Sequence, residues 1–357
     1  MRLAPHALPA AAGLVIACGG QKASAPVVRL GGAGDTVASS YGEVSQGVWL
    51  GGDRWAVLAP ADQAVAVVDF ARRKIGQLGG ANGKESRNPS TLFRAGDTLY
   101  VSDWGLRRTS LWTLDGRFVR SVPAADALRG VLARARDGAG RFYFEVAQRA
   151  GPDGQGNRDS AAVVRTGPAL EHPDTLVRLA PLDIAQIESE SGRRFERRVF
   201  SGADCWGVLP DGSVWVARVY DNRVDWRDPK GTWTRGKALP DRVLEVTRYD
   251  RELFLRRFPP ELRSTAEQLP FAPVKPPFEA GFTSPAGEVW LEKSRAPADS
   301  ARRYHVVDRQ GKLIREIQLT GRGRILAVGE GVVLAAEPSR EGARLLRVAL
   351  PAAAAIH

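Results

Sequence analysis

Polar and aromatic side chains that could do chemistry recur at one position of a repeated pattern, directly after a run of alternating apolar residues. They comprise carboxylates, an amide, arginines, a lysine and two aromatic side chains, at Asp103, Trp104, Arg107, Glu145, Arg218, Tyr220, Asn222, Arg223, Glu292 and Lys293. Carboxylate and amide oxygens are the ligands that Ca²⁺ prefers, and a bound divalent cation can polarise a carbonyl group. The same side chains also suit the binding of a partner, so these positions are candidates for a binding face.

Basic residues beside the carboxylates favour ion pairs over a metal site. Arg107 lies four residues after Asp103, and Lys293 directly follows Glu292. A carboxylate and a cationic group this close in the chain satisfy each other without a metal. We therefore expect no cofactor, with a divalent cation such as Ca²⁺ as the alternative. Most Arg and Tyr side chains here are expected to bond to backbone carbonyls and to cover apolar edges.

Histidine and cysteine give little support for other catalytic chemistry. Two of the four histidines lie near the ends of the chain, and neither His172 nor His305 is accompanied by a GxSxG nucleophile motif. Cys205 is the only cysteine besides Cys18, and the chain has no CxxC pair. The sequence therefore disfavours a serine hydrolase and a zinc site, and no catalytic residue is assigned.

The elements that must position these residues are strands, arranged in six degenerate repeats. Each repeat has a Gly or Asp-Gly turn, a β-rich run with a large anchor, a polar break and a second β-rich run. The anchors are Trp55, Tyr100, Tyr143, Trp215, Trp290 and Val333, at intervals of 45, 43, 72, 75 and 43 residues. Three intervals match the pitch of about 40 to 50 residues of a four-stranded propeller blade. The pattern predicts an all-β, six-bladed β-propeller of four-stranded antiparallel blades over residues 27–350.

The two long intervals predict insertions near 171–198 and 241–278. The first is charged and helix-like, and the second is charged and then rich in proline. A seventh blade is the alternative if residues 166–204 supply one. The last repeat provides only two or three strands after Val332, whereas the β-prone segment Val27 to Leu30 has no other role. We therefore predict that this N-terminal strand closes the last blade.

One repeat carries a recognisable likeness. The stretch LGGANGKESRNPSTLFRAGDTLYVSDWGLRRTSLWTLDGRFVRSV resembles an NHL repeat, and residues 205–233 resemble it as well. The chain is similar to bacterial six-bladed, NHL/TolB-like propeller lipoproteins of unassigned function. The resemblance implies a fold and not an activity. Propellers of the gluconolactonase and lactonase type hold a divalent cation on inner strands, so a metal-assisted, lactonase-like hydrolase in the central channel is the alternative function.

The N-terminus MRLAPHALPAAAGLVIACGG resembles a bacterial lipoprotein signal. An early Arg2 and a short apolar segment precede Leu14 to Ala17 and then Cys18. The interpretation is a signal peptide over 1–17, lipidation of Cys18, a linker over 18–26 and a short tail over 351–357. Acyl chains on Cys18 would anchor the protein stably. We expect a lipid-anchored cell-envelope protein that faces the periplasm or the exterior and contacts the membrane only through that anchor.

Composition limits the partners. The net charge of +11 comes mainly from scattered arginines, without a basic-aromatic recognition motif, so no nucleic acid is expected. The leading interpretation is a binding or scaffolding module, expected to be monomeric, for a protein, peptide or glycan. Five of the nine tryptophans fall at alternating strand positions and are expected to be buried: Trp55, Trp112, Trp215, Trp226 and Trp290. Trp104, Trp206 and Trp233 are the better candidates for exposure and for stacking on sugars.

Overall fold

The computed structural model describes residues 25–31, 34–79, 86–147, 161–189 and 192–351. Its strands form six radial sheets, named blades 1 to 6 in chain order. Two short strands, β1 (Val27–Leu30) and β2 (Asp35–Ala38), come before blade 1. Blade 1 contains β3 (Gln46–Gly51), β4 (Arg54–Ala59), β5 (Ala64–Asp69) and β6 (Lys74–Gln77). Blade 2 contains β7 (Pro89–Ala95), β8 (Thr98–Asp103), β9 (Arg108–Thr113) and β10 (Phe118–Pro123), and a 3₁₀ turn follows at Asp126–Leu128.

The remaining blades follow the same order. Blade 3 contains β11 (Ala135–Arg136), β12 (Phe142–Ala147), β13 (Ala161–Thr166) and β14 (Asp174–Arg178), followed by the hairpin β15 (Ile184–Ser189) and β16 (Gly192–Arg197). Blade 4 contains β17 (Cys205–Val208), β18 (Val214–Arg218), β19 (Arg223–Arg227) and β20 (Trp233–Thr234), followed by helices α1 (Arg248–Leu255) and α2 (Pro260–Glu267). Blade 5 contains β21 (Phe278–Thr283), β22 (Val289–Lys293), β23 (Ala301–Val307) and β24 (Leu313–Thr320). Blade 6 contains β25 (Arg324–Val328), β26 (Val332–Ser339) and β27 (Gly342–Ala349).

The first strands of the blades close a ring around one axis. Strand β3 contacts β7, and contacts continue through β11, β17, β21 and β25 back to β3. Within each blade, consecutive strands pair antiparallel from this inner strand outward. The fold is a six-bladed β-propeller, as the repeats predict.

Closure uses the N-terminus, but a different strand from the predicted one. Strand β2 pairs antiparallel with β27, with Asp35 opposite Arg347, and is the outermost strand of blade 6. The segment Val27–Leu30 instead adds to blade 5, where β1 pairs parallel with β24. Assigning 27–30 to the last blade is therefore wrong. Two β-prone segments a few residues apart meet two neighbouring free sheet edges, and residue pattern alone cannot assign each segment to its edge.

The core lies between the blades. All six anchors are at most 1% exposed, and separate apolar clusters fill the contacts between successive blades. Large buried side chains approach the backbone of the inner strands closely, so small residues are required there. At Gly207 an added Cβ would lie 2.7 Å from the indole of Trp215. The five tryptophans that the sequence places inside are at most 4% exposed, which confirms that prediction.

The two insertions differ from each other. Residues 241–278 contain α1 and α2, and α1 begins with a capping box of Thr247 and Asp250. The helix-like interpretation of residues 171–198 is wrong, because they form β14 and the hairpin β15–β16, and residues 166–204 do not form a seventh blade. Charges that resemble helical pairs are cross-strand neighbours, with Glu188 opposite Arg193.

Both insertions join on one face of the propeller. Val199 bridges to Phe271, and Phe200, Phe254 and Phe271 pack ring against ring. We call residues 179–189, 192–201 and 240–277 the cap. In each blade the second strand runs antiparallel to the inner strand, so it ends on the face where the inner strand begins. The turns after the second strands therefore lie on the same face as the cap, and we call this the cap face. Within the described residues, no helix is long and apolar enough to cross a membrane.

Candidate functional site

A large cavity lies on the propeller axis. It has a volume of about 940 Å³ and is lined by residues of all six inner strands and of the turns that follow them. Pockets of about 300 to 1,000 Å³ are typical for small-molecule ligands. Each inner strand pairs with only one neighbour, so its second edge presents backbone N–H and C=O groups to the cavity. We call this cavity the channel.

Cationic side chains dominate the charge of the channel. The lining arginines are Arg94, Arg134, Arg136, Arg309 and Arg324, and the lining carboxylate is Asp211, among the residues that the structure describes. Blades 2, 3, 5 and 6 contribute the arginines. Arg309 pairs with Asp211 at 2.8 Å, and Arg134 and Arg324 pair with carboxylates behind the wall, so the charge without an ion pair at short distance belongs to Arg94 and Arg136.

Arg134 is held at the wall by blade 3 and blade 4 together. Its guanidinium group lies 5.5 Å from the ring centre of Trp206 and forms an ion pair with Glu145. The Glu145 carboxylate also accepts a hydrogen bond of 2.9 Å from the Trp206 Nε1–H. One carboxylate thus orients a cation and an aromatic ring that both line the channel.

Arg324 has a comparable support on the other side. Glu292 is buried and accepts hydrogen bonds from Arg302 Nη1 at 2.6 Å and from Arg324 Nε at 2.7 Å. Burial lowers the pKa of Arg324, but the carboxylate charge of Glu292 outweighs it and the pKa is raised overall. Glu279 lies nearby and is exposed. Crowding by protein atoms and then the charge of Glu292 raise its pKa.

Arg94 and Arg136 rest on neutral partners. Arg136 Nε donates to the carbonyl of Gly140 at 3.2 Å, and its guanidinium group lies over Tyr100 and Phe142. No ion pair of Arg136 occurs among the described residues. Arg94 donates to the carbonyls of Trp49 and Gly96, and its nearest carboxylate, Asp97, is 4.0 Å away and fully exposed. A carbonyl orients a guanidinium group without neutralising it.

Half-buried aromatic rings complete the wall. They are Trp49, Phe93, Trp206 and Phe282, from the inner strands of blades 1, 2, 4 and 5. Phe93 stacks on Tyr100 with ring centres 4.8 Å apart, and Phe282 stacks on Trp290. Buried rings behind them therefore fix the exposed rings. The channel combines rigid apolar faces with cations.

The predicted site residues lie on or under the cap face, and two of them, Glu145 and Glu292, bond to arginines of the channel wall. None of the ten lines the channel. Asp103 is fully buried and accepts backbone hydrogen bonds from Arg87, Asn88 and Leu106, so it fixes the entry to blade 2. Trp104 is 47% exposed and Arg107 is exposed in the left-handed region. Their assignment to a binding face stays a prediction.

Ion pairs occupy the break in blade 4. Arg218 lies 2.9 Å from Asp204 and 3.3 Å from Asp225. Arg223 lies 2.8 Å from Asp225. Tyr220 is 66% exposed and its hydroxyl donates to the carbonyl of Pro181 in the cap. The break therefore ties blade 4 to the cap, and its basic residues pair with carboxylates as the sequence suggests.

A second polar group lies buried between blades 4 and 5. Lys293 Nζ is 2.5 Å from the Asp241 carboxylate and donates to Asn222 Oδ1 at 3.3 Å. Burial lowers the pKa of Lys293 although Asp241 opposes this. Burial and then the charge of Lys293 lower the pKa of His305 to about 4. We call Asn222, Asp241, Lys293, His305 and Glu316 the interblade cluster.

Carboxylates in the described part of the chain are not grouped for a metal ion. No set of three or more His, Cys, Asp or Glu side chains there could hold one. Asp103, Asp225 and Glu292 bond instead to backbone amides and arginines.

Comparison with known proteins gives a likeness of fold. No family model matches the chain, and no curated protein matches it in sequence. Regucalcin, a calcium-binding protein from Agrobacterium tumefaciens, aligns at 10% identity and a TM-score of 0.46 over 92% of this chain and 98% of its own. Virginiamycin B lyase from Staphylococcus aureus aligns at 9% identity and 0.45 over 89% and 98%. A member of the DUF4221 family from Bacteroides vulgatus aligns at 9% identity and 0.44 over 88% and 92%. Likeness at this level does not bear on ligand or activity.

The channel arginines are missed when candidate residues are taken only from the positions that follow each anchor. Arg94, Arg134, Arg136 and Arg324 lie on or directly before inner strands and so precede the anchors, and Arg309 lies in the turn between β23 and β24. A usable signal does exist in Ala133-Arg134-Ala135-Arg136, where two arginines alternate with small apolar residues. These arginines become site candidates once β11 is known to be an inner strand beside the channel.

Proposed function

We propose that the protein is a non-catalytic ligand-binding module of the cell envelope and that the channel is its binding site. The observation that carries the proposal is the channel of about 940 Å³ with arginines and half-buried aromatic rings on its wall. Preformed pockets that combine apolar faces with a few fixed polar groups are the usual form of ligand sites. The partner is a protein segment, a peptide or a glycan.

Held carboxylates support binding over catalysis. Glu145 and Glu292 lie next to the channel, and each is bonded to an arginine of the wall. A general base must accept a proton from the substrate, and a carboxylate that already serves a guanidinium group is poorly suited to it. These side chains hold the wall in shape.

Hydrolysis in the channel is the second candidate, and Glu279 is the observation that favours it. An exposed carboxyl group with a raised pKa beside Arg324 has the properties of an acid or a base. A metal-assisted, lactonase-like reaction would need oxygen ligands in addition, and the described residues group none.

Attachment to the envelope is proposed from the leader sequence. Cys18 lies outside the described residues, and the described chain begins at residue 25 with β1 directly after it. Labelling of cells with a fatty-acid analogue should mark the protein, and Cys18→Ala should abolish the label. A label that survives in Cys18→Ala would contradict the anchor.

Binding itself is tested with a broad panel. The purified protein is screened against glycans, peptides and metabolites, and any hit is measured again with Arg134→Gln. The control is Arg344→Gln, because Arg344 also pairs with one glutamate, Glu337, and its side chain is 51% exposed against 47% for Arg134. We expect hits that weaken in Arg134→Gln alone. Hits that weaken equally in both variants, or no hits, would refute the channel as the binding site.

A further inference from the structure

We propose that the channel binds an acidic oligosaccharide, a glycan whose sugars carry carboxylate groups. The inference rests on the proposed function, because it names the ligand class of the same channel. Five arginines line the described wall, of which Arg134, Arg309 and Arg324 form ion pairs with carboxylates. A guanidinium group presents paired donors that match a carboxylate. Arg94 and Arg136, whose hydrogen-bond partners are backbone carbonyls, are therefore the cations of the wall that call for an anion.

Two of the lining arginines are bonded to uncharged partners. Arg136 and Arg94 are oriented by carbonyl groups of Gly140 and Gly96. Backbone carbonyls and ring faces hold these cations in place without cancelling their charge. An anionic ligand would form ion pairs with both arginines, whereas a neutral ligand would leave them without a charged partner.

The arginines are spread along the channel as well as around it. Arg324 begins its inner strand, while Arg94 is the last residue but one of β7. On blade 3, Arg134 and Arg136 are two residues apart, which is about 7 Å along a strand. Charges at separate levels fit a ligand with repeated, spaced anions better than one compact anion such as a single phosphate.

Neutral parts of the wall fit sugars. Trp49, Phe93 and Phe282 offer half-buried ring faces from three blades, which suit the apolar face of a sugar ring. The free edges of the inner strands offer both donors and acceptors. Sugar hydroxyl groups can donate and accept, so they satisfy both kinds of edge group.

A peptide fits this wall less well. An extended peptide gains affinity by pairing along one strand edge. Here inner-strand edges of all six blades converge on one axis, so a peptide paired with one edge would leave the others unmatched. Hydroxyl groups that project from a sugar chain in several directions suit such a converging arrangement.

The experiment is calorimetric titration of the purified protein with tetrasaccharides. Galacturonate, mannuronate and hyaluronan oligomers are the acidic probes, a neutral galactose tetramer is the matched control, and tetraglutamate is the peptide control. We expect at least one acidic glycan to bind about tenfold or more tighter than the neutral tetramer. We also expect the affinity to fall as salt is raised, because the contact is ionic.

Two variants with matched controls locate the site. Arg136→Gln should weaken the acidic glycan about tenfold, and Arg344→Gln on the outer part of blade 6 should not. Trp206→Ala should weaken binding, whereas Trp233→Ala on the outermost strand of blade 4 should not. Thermal unfolding of each variant checks that it is folded.

The outcomes separate this inference from the proposed function. If the neutral tetramer or tetraglutamate binds as tightly as every acidic glycan and the affinity falls in Arg136→Gln, the channel is the binding site and the ligand class is wrong. If no acidic glycan binds, the inference is overturned, and the broad panel then decides on the proposed function. If an acidic glycan binds equally to wild type and Arg136→Gln, its site is not the channel.

Discussion

Lys293 and Arg136 are both cationic residues on blades, yet their surroundings are opposite. Lys293 has a side chain that is 1% exposed, with Asp241 at 2.5 Å. Arg136 is half-buried beside the channel and bonds to the carbonyl of Gly140 at 3.2 Å. One cation is sealed in with a carboxylate, and the other faces a cavity without one among the described residues.

The difference follows from the cost of burying charge. A charge taken out of water is unfavourable by several kcal/mol unless a partner compensates it. The Lys293 side chain is almost completely buried, so its partner comes from the protein itself. Arg136 is half-buried and therefore partly open to solvent, so the arginine can remain without a carboxylate. Buried charges that form ion pairs within the protein thus indicate a structural role. Solvent-accessible charges without an ion pair indicate a binding role.

The largest effect is expected from removing the negative charge that pairs with the buried Lys293. Asp241→Asn removes the negative charge while keeping the shape, and it leaves the Lys293 ammonium group buried beside a neutral amide. We expect the free energy of unfolding to fall by about 3 kcal/mol, measured by urea denaturation. Binding in the channel should not change. A loss below about 0.5 kcal/mol would show that the pair is not needed.

The matched control for this change replaces both partners. The double variant Asp241→Leu with Lys293→Met has no buried charge at this position, so it should recover most of the lost stability. Failure to recover while the fold is retained would assign the loss to packing against Asn222 and the cap rather than to charge.

Acid should weaken the same cluster. His305 is buried and faces Asp241, Lys293, Glu316 and Arg303, and its pKa is lowered to about 4. The unfolded chain therefore takes up a proton near pH 6.5 that the folded protein refuses until about pH 4. Stability must fall as the pH drops through this window, by about 3 kcal/mol.

Urea midpoints between pH 7 and pH 4 test this effect. His305→Gln removes the titrating group, so the variant should lose less stability across the window than the wild type. A slope that is equal in both proteins would assign the pH dependence to carboxylates elsewhere. The exposed His172, which lies in a turn of blade 3, provides the control variant His172→Gln.

Much of the architecture could be predicted because it depends on local patterns. The turn before each anchor and the anchor itself, such as Gly212 and Trp215, lie within a few residues and recur. Alternation then gives the strands. The choice between two neighbouring sheet edges for Val27–Leu30 depends on geometry at the far end of the chain, where β24 and β27 lie, and no local pattern carries it.

The site was harder to predict for a related reason. Positions such as Asp103 and Asn222 stand out in the sequence because they interrupt apolar runs. In the structure they interrupt those runs to bond with backbone groups, as Asp103 does with Arg87. Arg134 and Arg136 stand in an ordinary-looking strand, and their role depends on which strand is innermost, which follows only from closure of the ring.

Substitution of Arg136 should affect binding and leave the stability of the fold almost unchanged. Arg136→Gln removes a cation that has no ion pair among the described residues, so the free energy of unfolding should change by less than about 0.5 kcal/mol. Affinity for an acidic glycan should fall about tenfold, which equals about 1.4 kcal/mol. Urea denaturation and calorimetry on the same sample give both values. A stability loss near that of Asp241→Asn would end the distinction between the two regions.

The smallest expected effect concerns the carboxyl group of Glu279 beside Arg324. Because its pKa is raised by crowding and by Glu292, it begins to take up a proton as the pH falls toward a value above its ordinary 4.5. Ionised Glu279 repels an anionic ligand, so binding should strengthen as it is neutralised. Glu279→Gln should therefore bind an acidic glycan about threefold tighter at pH 7, roughly 0.6 kcal/mol, and should lose the strengthening in acid. Affinity measured between pH 7 and pH 4.5 keeps the sugar carboxylates mostly ionised, and the neutral tetramer is the control. If Glu279→Gln binds more weakly than the wild type, the carboxyl group donates to the ligand and acts as part of the site rather than as a repulsive neighbour.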